Sequence, residues 1–357
     1  MVPYYVMVAI PAILSLLFSG RTDKFSAEKK NKVVLLFFFG ILLAILILRH
    51  ETVGTDIKNY LGMFKQASSL SFKELFDFYE EEQGYYLLNK IISIFSKDKQ
   101  IFLAIIAIIS LVPVAHLYMK KSENAMLTIA TFLIVSNFAI LFSALRQSIA
   151  VAIVAISYKY IKEKKLWRFL LLILLAFFFH KSAFIALLLY PMYHMNITKP
   201  KLLIFIPIIG MVFVFNKPIF EFLLQFLGEY GEDYSYEETG GYMMIILFAI
   251  FLFLSYFAPD DSKMDKETIG LRNIMVLALT MQTFALASPV AMRMNYYNIM
   301  FVPLLLPKVF NRCHTRNRKT YQFLELAMIV FFIVYYFYTA HFVEGVMRLY
   351  PYRGFWE

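Results

Sequence analysis

The chain alternates between long apolar runs and shorter polar stretches. A helix that crosses a bilayer needs about 20 apolar residues, because each residue adds about 1.5 Å and the hydrocarbon core is about 30 Å thick. Several runs approach this length. They cover residues 2–19, 33–49, 101–118, 125–142, 146–160, 169–193, 202–227, 242–258, 271–290, 295–310 and 322–340. This pattern predicts an all-α polytopic membrane protein with about 11–12 transmembrane or re-entrant helices.

Composition supports the same class. Of the 357 residues, 60% are hydrophobic and 17% are charged, whereas a soluble domain is about 45–50% apolar and about 25% charged. So few charges cannot cover a soluble surface, which excludes a soluble enzyme and a disordered chain. The single cysteine, Cys313, excludes an internal disulfide and a cysteine-based zinc site. We expect one polytopic domain over residues 1–357.

Basic residues predict the orientation in the membrane. The loop after the first apolar run contains Arg21, Lys24, Lys29, Lys30 and Lys32. Lys and Arg accumulate in cytoplasmic loops, so we expect this loop inside and the N-terminus outside. The net charge is +10. The basic residues are scattered between apolar runs, which argues against a nucleic-acid partner.

We counted membrane crossings from the N-terminus and from the C-terminus, using the basic loops as cytoplasmic markers. The two counts disagree by one crossing before the acidic loop 228–241. Two apolar blocks, 169–193 and 202–227, precede that loop, and one of them must be broken. Residues 180–182 (His-Lys-Ser) interrupt the first block, and residues 216–218 (Asn-Lys-Pro) interrupt the second. We favour a break in the first block, because a charged pair in mid-membrane requires a polar cavity.

Residues 50–99 form the largest segment that this topology places outside. Within it, Leu87–Phe95 is apolar but too short to span a bilayer, which is typical of an interfacial or re-entrant helix. No internal repeat is evident, which weighs against an inverted-repeat transporter.

Several ionisable residues lie at or near the external ends of apolar runs. Such residues are costly near a membrane and often mark functional sites. Their position on one face predicts a single external site. They are Arg49, Asp56, Glu82, Arg146, His180 and Arg293.

The acidic residues and the histidine suggest proton transfer. Asp56 follows the turn-permitting Gly54 and could take a proton from a hydroxyl. Glu82 could be a second acid or base, and His180 could relay a proton or bind a sugar hydroxyl or diphosphate. Each also has a structural explanation: an Asx turn at Asp56, a solvated acidic run at residues 80–82, and a hydrogen-bonded structural histidine.

The arginines suggest an anionic ligand. Arg146 begins an apolar run, where the positive end of the helix dipole disfavours a cation unless an anion compensates. A planar guanidinium suits phosphate or carboxylate, so the anion is either a ligand or a protein carboxylate such as Asp56. Arg293 repeats the arrangement, and Arg49 and Arg293 could instead anchor at the membrane interface. Arginines facing carboxylates suit a lipid-linked diphosphate.

These motifs together resemble those of a known family. Arg49 with Val53–Asp56 and Tyr60 resembles the first signature of the EpsG family of bacterial polysaccharide-polymerase-like membrane proteins. The similarity continues in order over nearly the whole chain. The further similar positions are Glu82, Gly84, Tyr85, Leu88 and Asn89; Arg146, Gln147 and Ala150; Phe179, His180, Ser182 and Ala183; and Arg293 with Tyr297.

The resemblance implies Wzy-type polymerase chemistry on a GT-C-like fold. Such proteins join undecaprenyl-diphosphate-linked oligosaccharide repeat units into exopolysaccharide, capsule or O-antigen at the outer face of the bacterial cytoplasmic (inner) membrane. Asp56, or less readily Glu82 or His180, would deprotonate the acceptor hydroxyl. The arginines would bind the diphosphate. Supporting positions would be Gly54, Thr55, Tyr60, Tyr85, Gln147, Ser182 and Tyr297.

The resemblance also sets expectations for cofactors and partners. We expect no cofactor and no metal, because the external segments lack a DxD motif. Expected partners are the lipid-linked oligosaccharide, membrane lipid, a chain-length regulator and a flippase.

Three other functions stay open. A flippase or transporter of lipid-linked sugars would also need arginines, but it should spread polar residues over both faces. A membrane acyltransferase would need a route for its acyl donor. A glycan ligase uses the same donor as a polymerase, so the sequence does not separate these two.

Overall fold

The computed structural model describes residues 1–19, 26–135, 137–224, 241–313, 317–342 and 348–357. Within these ranges the chain forms eighteen α-helices and no β-strand, which confirms the predicted all-α polytopic class. The acidic loop 228–241, apart from its last residue, and the basic residues Arg21 and Lys24 lie outside the described residues.

The helices follow one another with short connections. They are α1 (Val2–Ser19), α2 (Ala27–Leu48), α3 (Ile57–Ser69), α4 (Phe72–Phe78), α5 (Gln83–Phe95), α6 (Lys99–Lys121), α7 (Ala125–Ile134), α8 (Asn137–Ser143), α9 (Leu145–Lys162), α10 (Leu166–Phe179), α11 (Leu189–His194), α12 (Lys199–Val214), α13 (Asn216–Leu224), α14 (Tyr242–Phe257), α15 (Lys266–Thr283), α16 (Pro289–Ile299), α17 (Val302–Asn311) and α18 (Arg318–Phe342). Short 3₁₀ helices cover Lys181–Leu188, Asp261–Lys263 and Phe284–Leu286.

By length and composition, five of the described helices could cross a membrane. They are α1, α2, α6, α15 with its 3₁₀ extension, and α18. Shorter apolar helices account for much of the rest, because the chain breaks several runs that look continuous in sequence. The run 125–142 divides into α7 and α8, and the run 295–310 divides into α16 and α17.

Both of the apolar blocks that posed the topology problem are broken. The first ends as an α-helix at Phe179, and a 3₁₀ helix and α11 follow His180. The second bends by 79° between α12 and α13. We expected a break in one block only. The structure therefore places irregular backbone in both, which a membrane protein tolerates beside protein or water.

Helices α9 and α15 each bury most of their residues inside the bundle. Helix α9 packs on α6 and α10, whereas α15 packs on α11, α14, α16 and α17. We define the two ends of the bundle by the two ends of α9. The end at which α9 begins is called the Glu82 end, and the end at which α9 finishes is called the Glu267 end.

The segment between α2 and α6 folds into three short helices, α3, α4 and α5. Helix α5 packs on α3, α4 and α10. It buries Tyr85 and Asn89 and exposes Ile94 and Phe95. Its interfacial placement in the membrane stays a prediction.

Candidate functional site

Three ionisable side chains meet at the Glu82 end. Glu82 Oε2 lies 2.5 Å from Arg146 Nη1, and Glu82 Oε1 lies 2.6 Å from His180 Nδ1. The side chain of Glu82 is only 2% exposed, against 8% for His180 and 24% for Arg146. The residues come from the loop before α5, the start of α9 and the end of α10. This cluster, the Glu82–Arg146–His180 cluster, is a buried ion pair that carries an imidazole.

The Glu82 carboxyl is ionised at neutral pH. Burial by itself would raise the pKa of Glu82, but the hydrogen bond and charge of His180, the charge of Arg146 and the backbone N–H of Lys181 together lower it to about 2. The Lys181 N–H donates to Glu82 Oε1 over 3.0 Å. A carboxylate with so low a pKa is a weak proton acceptor. Glu82 is therefore better suited to orient its neighbours than to act as the base.

The Glu82 carboxylate fixes the orientation of the His180 ring. An ionised carboxylate can only accept hydrogen bonds, so Nδ1 of His180 is the donor in this contact. Nε2 makes no hydrogen bond with any described residue. In a neutral ring Nε2 then has a free lone pair. A histidine held by a carboxylate in this way is arranged as a general base.

Backbone geometry at Glu82 brings α5 onto α10. Glu82 has a φ of 50°, a left-handed conformation that is uncommon for a residue other than glycine. At Gly84, a Cβ would lie 2.5 Å from Phe178 Cδ1 and 2.9 Å from the Phe178 carbonyl oxygen. The missing side chain lets the start of α5 lie directly against the end of α10. Glu82 reaches His180 because of this close approach.

The loop after α2 is fixed to the end of α8, just before Arg146. Arg49 is 1% exposed, and its Nη1 donates to the carbonyl of Phe142 over 2.9 Å. Gly54 has a φ of 113°, and a Cβ there would clash with the same carbonyl. The Thr55 N–H donates to Ser143 Oγ over 3.1 Å. The Arg49 guanidinium thus binds backbone carbonyls and holds this loop in place.

Asp56 directly precedes α3 as its N-cap residue. It lies beside the Glu82–Arg146–His180 cluster rather than in it. Its half-buried carboxylate makes no cap, hydrogen bond or ion pair with any residue in the described ranges. Burial raises the pKa of Tyr60, Arg146 opposes this shift, and the charges of Asp56 and Glu82 add to it. The Tyr60 hydroxyl is therefore within electrostatic range of both carboxylates. Its ring lies 5.9 Å from the Arg146 guanidinium and 5.6 Å from the Tyr85 ring.

Helix α16 supplies the last of the predicted residues. Gln147 Nε2 donates to the Arg293 carbonyl over 2.6 Å, which ties α16 to α9. Ser182 Oγ and the Tyr297 hydroxyl lie 3.1 Å apart, which ties α16 to the 3₁₀ helix after His180. The Arg293 side chain is half-buried, and its guanidinium forms no ion pair within the described residues. Since Gln147 directly follows Arg146, the Arg293 backbone lies close to the cluster.

The fold thus brings together Glu82, Arg146 and His180 directly. Asp56 and Arg293 belong to elements that contact the same helix ends, and Arg49 lies in the loop that leads to Asp56. Among the described residues, no group of three or more His, Cys, Asp or Glu side chains is placed to hold a metal ion.

Three buried amides lie behind the site, and sequence reasoning overlooked two of them, Gln282 and Asn298. Asn295 Nδ2 donates to Gln282 Oε1 over 3.0 Å, and Asn298 Nδ2 donates to Asn295 Oδ1 over 3.1 Å. All three side chains are at most 1% exposed. Amides inside apolar runs were the available signal, because a buried polar side chain is retained only with partners. This network connects α15 to α16 and supports the position of Arg293.

Comparison with known proteins places the chain in a family. No curated protein and no solved structure matches it significantly. The sequence model of the EpsG family matches residues 32–353, which run from α2 almost to the C-terminus. The protein therefore belongs to the EpsG family and is a multi-pass membrane protein of the polysaccharide-polymerase-like class.

Proposed function

We propose that the protein is a Wzy-type glycosyltransferase that joins undecaprenyl-diphosphate-linked oligosaccharide repeat units into exopolysaccharide, capsule or O-antigen. The observation that carries this proposal is the Glu82–Arg146–His180 cluster. It combines a partly buried guanidinium, suited to a diphosphate, with an imidazole whose second nitrogen can accept a proton. Both features lie at one end of the bundle, as a reaction at one membrane face requires.

The reaction can be written as a single displacement. His180 Nε2 takes the proton of the acceptor hydroxyl, while Glu82 holds the ring and stabilises the imidazolium that forms. The hydroxyl oxygen forms a bond to the anomeric carbon of the donor, and the bond from that carbon to the diphosphate breaks. Arg146 and Arg293 stabilise the charge that develops on the departing diphosphate. One displacement of this kind inverts the anomeric configuration.

Asp56 is the second candidate for the base, and the sequence favours it. Its carboxylate makes no hydrogen bond to the described residues, which leaves it available to a sugar hydroxyl. The Glu82–His180 hydrogen bond is the reason we place His180 first. In this assignment Asp56 binds the acceptor sugar. Substituting each residue separately distinguishes the two roles.

The membrane setting is part of the proposal. By the positive-inside rule, we expect the N-terminus and the Glu82 end outside the bacterial cytoplasmic membrane. There the enzyme would meet repeat units delivered by a flippase, and a chain-length regulator would act on its product.

The binding of Arg49 to the carbonyls of Leu141 and Phe142 supports a positioning role for this residue.

A glycolipid gel tests the function. Cells would carry the wild type, a deletion, Arg146→Ala, or the control Arg168→Ala, which changes an exposed arginine near the Glu267 end. We expect the ladder of repeat units to collapse to one unit on the lipid carrier in the deletion and in Arg146→Ala only. Long polymer that stays on the carrier would instead indicate a ligase. Repeat units trapped on the inner leaflet would indicate a flippase.

A further inference from the structure

An apolar groove lies between α6 and α9 near the Glu267 end, and the proposed reaction does not use it. Its volume is about 520 Å³, which falls within the range of about 300–1,000 Å³ that is common for ligand sites. Val112 and Ile156, on opposite walls, are 47% and 48% exposed. The apolar walls consist of Val112, Pro113, Leu117, Ala155 and Ile156.

The rim of this groove is basic. It carries Lys120, Lys121, Lys159 and Lys162, together with one carboxylate, Glu163. Lys121 and Lys162 both pair with Glu267, at 3.6 and 2.6 Å. Lys159 is 3.9 Å from Glu163, which also pairs with Lys165 at 2.7 Å. The exposed Lys120 forms no ion pair within the described residues. The rim therefore retains positive charge, chiefly on Lys120 and Lys159.

An exposed histidine adds a further polar group to the rim of this groove. His116 lies on α6 four residues before Lys120, so the two side chains share one face of the helix. A second groove, of about 450 Å³ and formed with α2, lies on the other side of these two residues. Polar side chains on a lipid-facing surface are costly unless a polar group meets them. An anionic head group between two apolar grooves would meet both.

We propose that this surface binds one anionic diacyl phospholipid. One acyl chain would occupy the groove between α6 and α9, and the phosphate would lie between Lys120, His116 and Lys159. Basic sites between membrane helices favour anionic head groups for this reason. The charge of the rim favours a lipid over a second copy of this basic chain, whose net charge is +10.

The site is separate from the proposed catalytic site. Lys159 is thirteen residues after Arg146 on α9, so the two are about 20 Å apart along the helix axis. A head group beside Lys159 would thus lie about 20 Å from a diphosphate beside Arg146, towards the cytoplasmic side in the orientation that the basic loops predict. The proposal does not depend on the polymerase assignment.

Native mass spectrometry of the purified full-length protein tests the proposal. The probes are phosphatidylglycerol and phosphatidylcholine with identical acyl chains, and undecaprenyl phosphate. We expect one phosphatidylglycerol to be retained, about tenfold more tightly than phosphatidylcholine. Lys120→Gln with Lys159→Gln should abolish this preference. The control, Lys65→Gln with Lys73→Gln, removes the same charge from exposed positions in the external segment and should leave it unchanged.

A groove-filling variant separates the apolar contribution from the charge. Ile156→Trp keeps every lysine and changes an exposed side chain, so it should fold and yet retain less phosphatidylglycerol. Equal retention of both phospholipids by the wild type would overturn the proposal. So would an equal loss in the control pair, a preference for undecaprenyl phosphate, or a dimer that excludes lipid.

Discussion

The two ends of the bundle use similar charged residues in different ways. At the Glu267 end, every acidic residue of the central network has a basic partner. Glu267 pairs with Lys162, Glu123 pairs with both Lys308 and Arg312, and Arg312 also pairs with Asp265. These contacts join α9, α15, α17 and the loop after α6. Charges that neutralise one another in this way act as a structural clamp.

At the Glu82 end, the pairing is incomplete. Glu82 binds both Arg146 and His180, but Asp56 and Arg293 form no ion pair within the described ranges. Unused charge is typical of sites that complete themselves with a ligand. Composition alone would not distinguish the two ends, because the difference is in the partners.

The largest expected effect is a loss of polymer yield, and it should follow substitution of one histidine, His180, but not of another, His194. His180→Gln should lower polymer yield per folded protein by at least about 100-fold, because a general base contributes about 10²–10⁴ in rate. His194→Gln is the matched control, since the His194 ring contacts the Ile161 carbonyl near the Glu267 end. A glycolipid gel measures both. A normal ladder in His180→Gln, with loss in Asp56→Asn, would transfer the role of base to Asp56.

The second comparison changes one carboxylate at each end. Glu82→Gln and Glu267→Gln each leave partly buried cations without their counter-charge. The loss of unfolding free energy should therefore stay below the about 3–5 kcal/mol that breaking a fully buried ion pair costs. Thermal unfolding in detergent should show both losses. Polymer yield per folded protein should fall only in Glu82→Gln. A larger loss of yield in Glu267→Gln would contradict the division into a clamp and a reactive site.

A third comparison concerns backbone at the Glu82 end. Gly54→Ala should destabilise the fold by about 1–3 kcal/mol, because Gly54 has a φ of 113° and its Cβ would clash with the Phe142 carbonyl. Gly62→Ala is the control, since nothing lies near its Cβ within α3. Alanine should stabilise that helix by about 0.5–1 kcal/mol. Equal unfolding temperatures for the two variants would show that the loop moves freely.

The last comparison is confined to acid pH. Folding lowers the pKa of Glu82 from 4.5 to about 2, so the unfolded chain binds more protons in this range and stability falls as pH falls. The contribution of Glu82 is complete above about pH 4.5 and is lost towards pH 2. The difference in unfolding temperature between the wild type and Glu82→Gln should therefore shrink steadily as the pH falls from 5 towards 2. A constant difference would contradict the ionised state of Glu82.

Sequence patterns predicted some of the site for good physical reasons. His180 and Lys181 interrupt an apolar run, and a polar pair there requires a break in the helix, which the structure contains. The acidic run at residues 80–82 looked like a solvated face. Glu80 and Glu81 are indeed exposed, but Glu82 is buried. Nothing within the run itself separates the third glutamate from the other two.

The sequence by itself determined the class of this protein. Apolar runs of helical length require an all-α membrane fold, because every buried backbone group must find a partner within its own segment. Only the tertiary structure decided which charges meet. Glu82 and His180 are 98 residues apart in sequence. They can form their hydrogen bond only because α5 and α10 pack closely where Gly84 contacts Phe178. Local pattern cannot encode such a contact, because it arises from how whole helices pack.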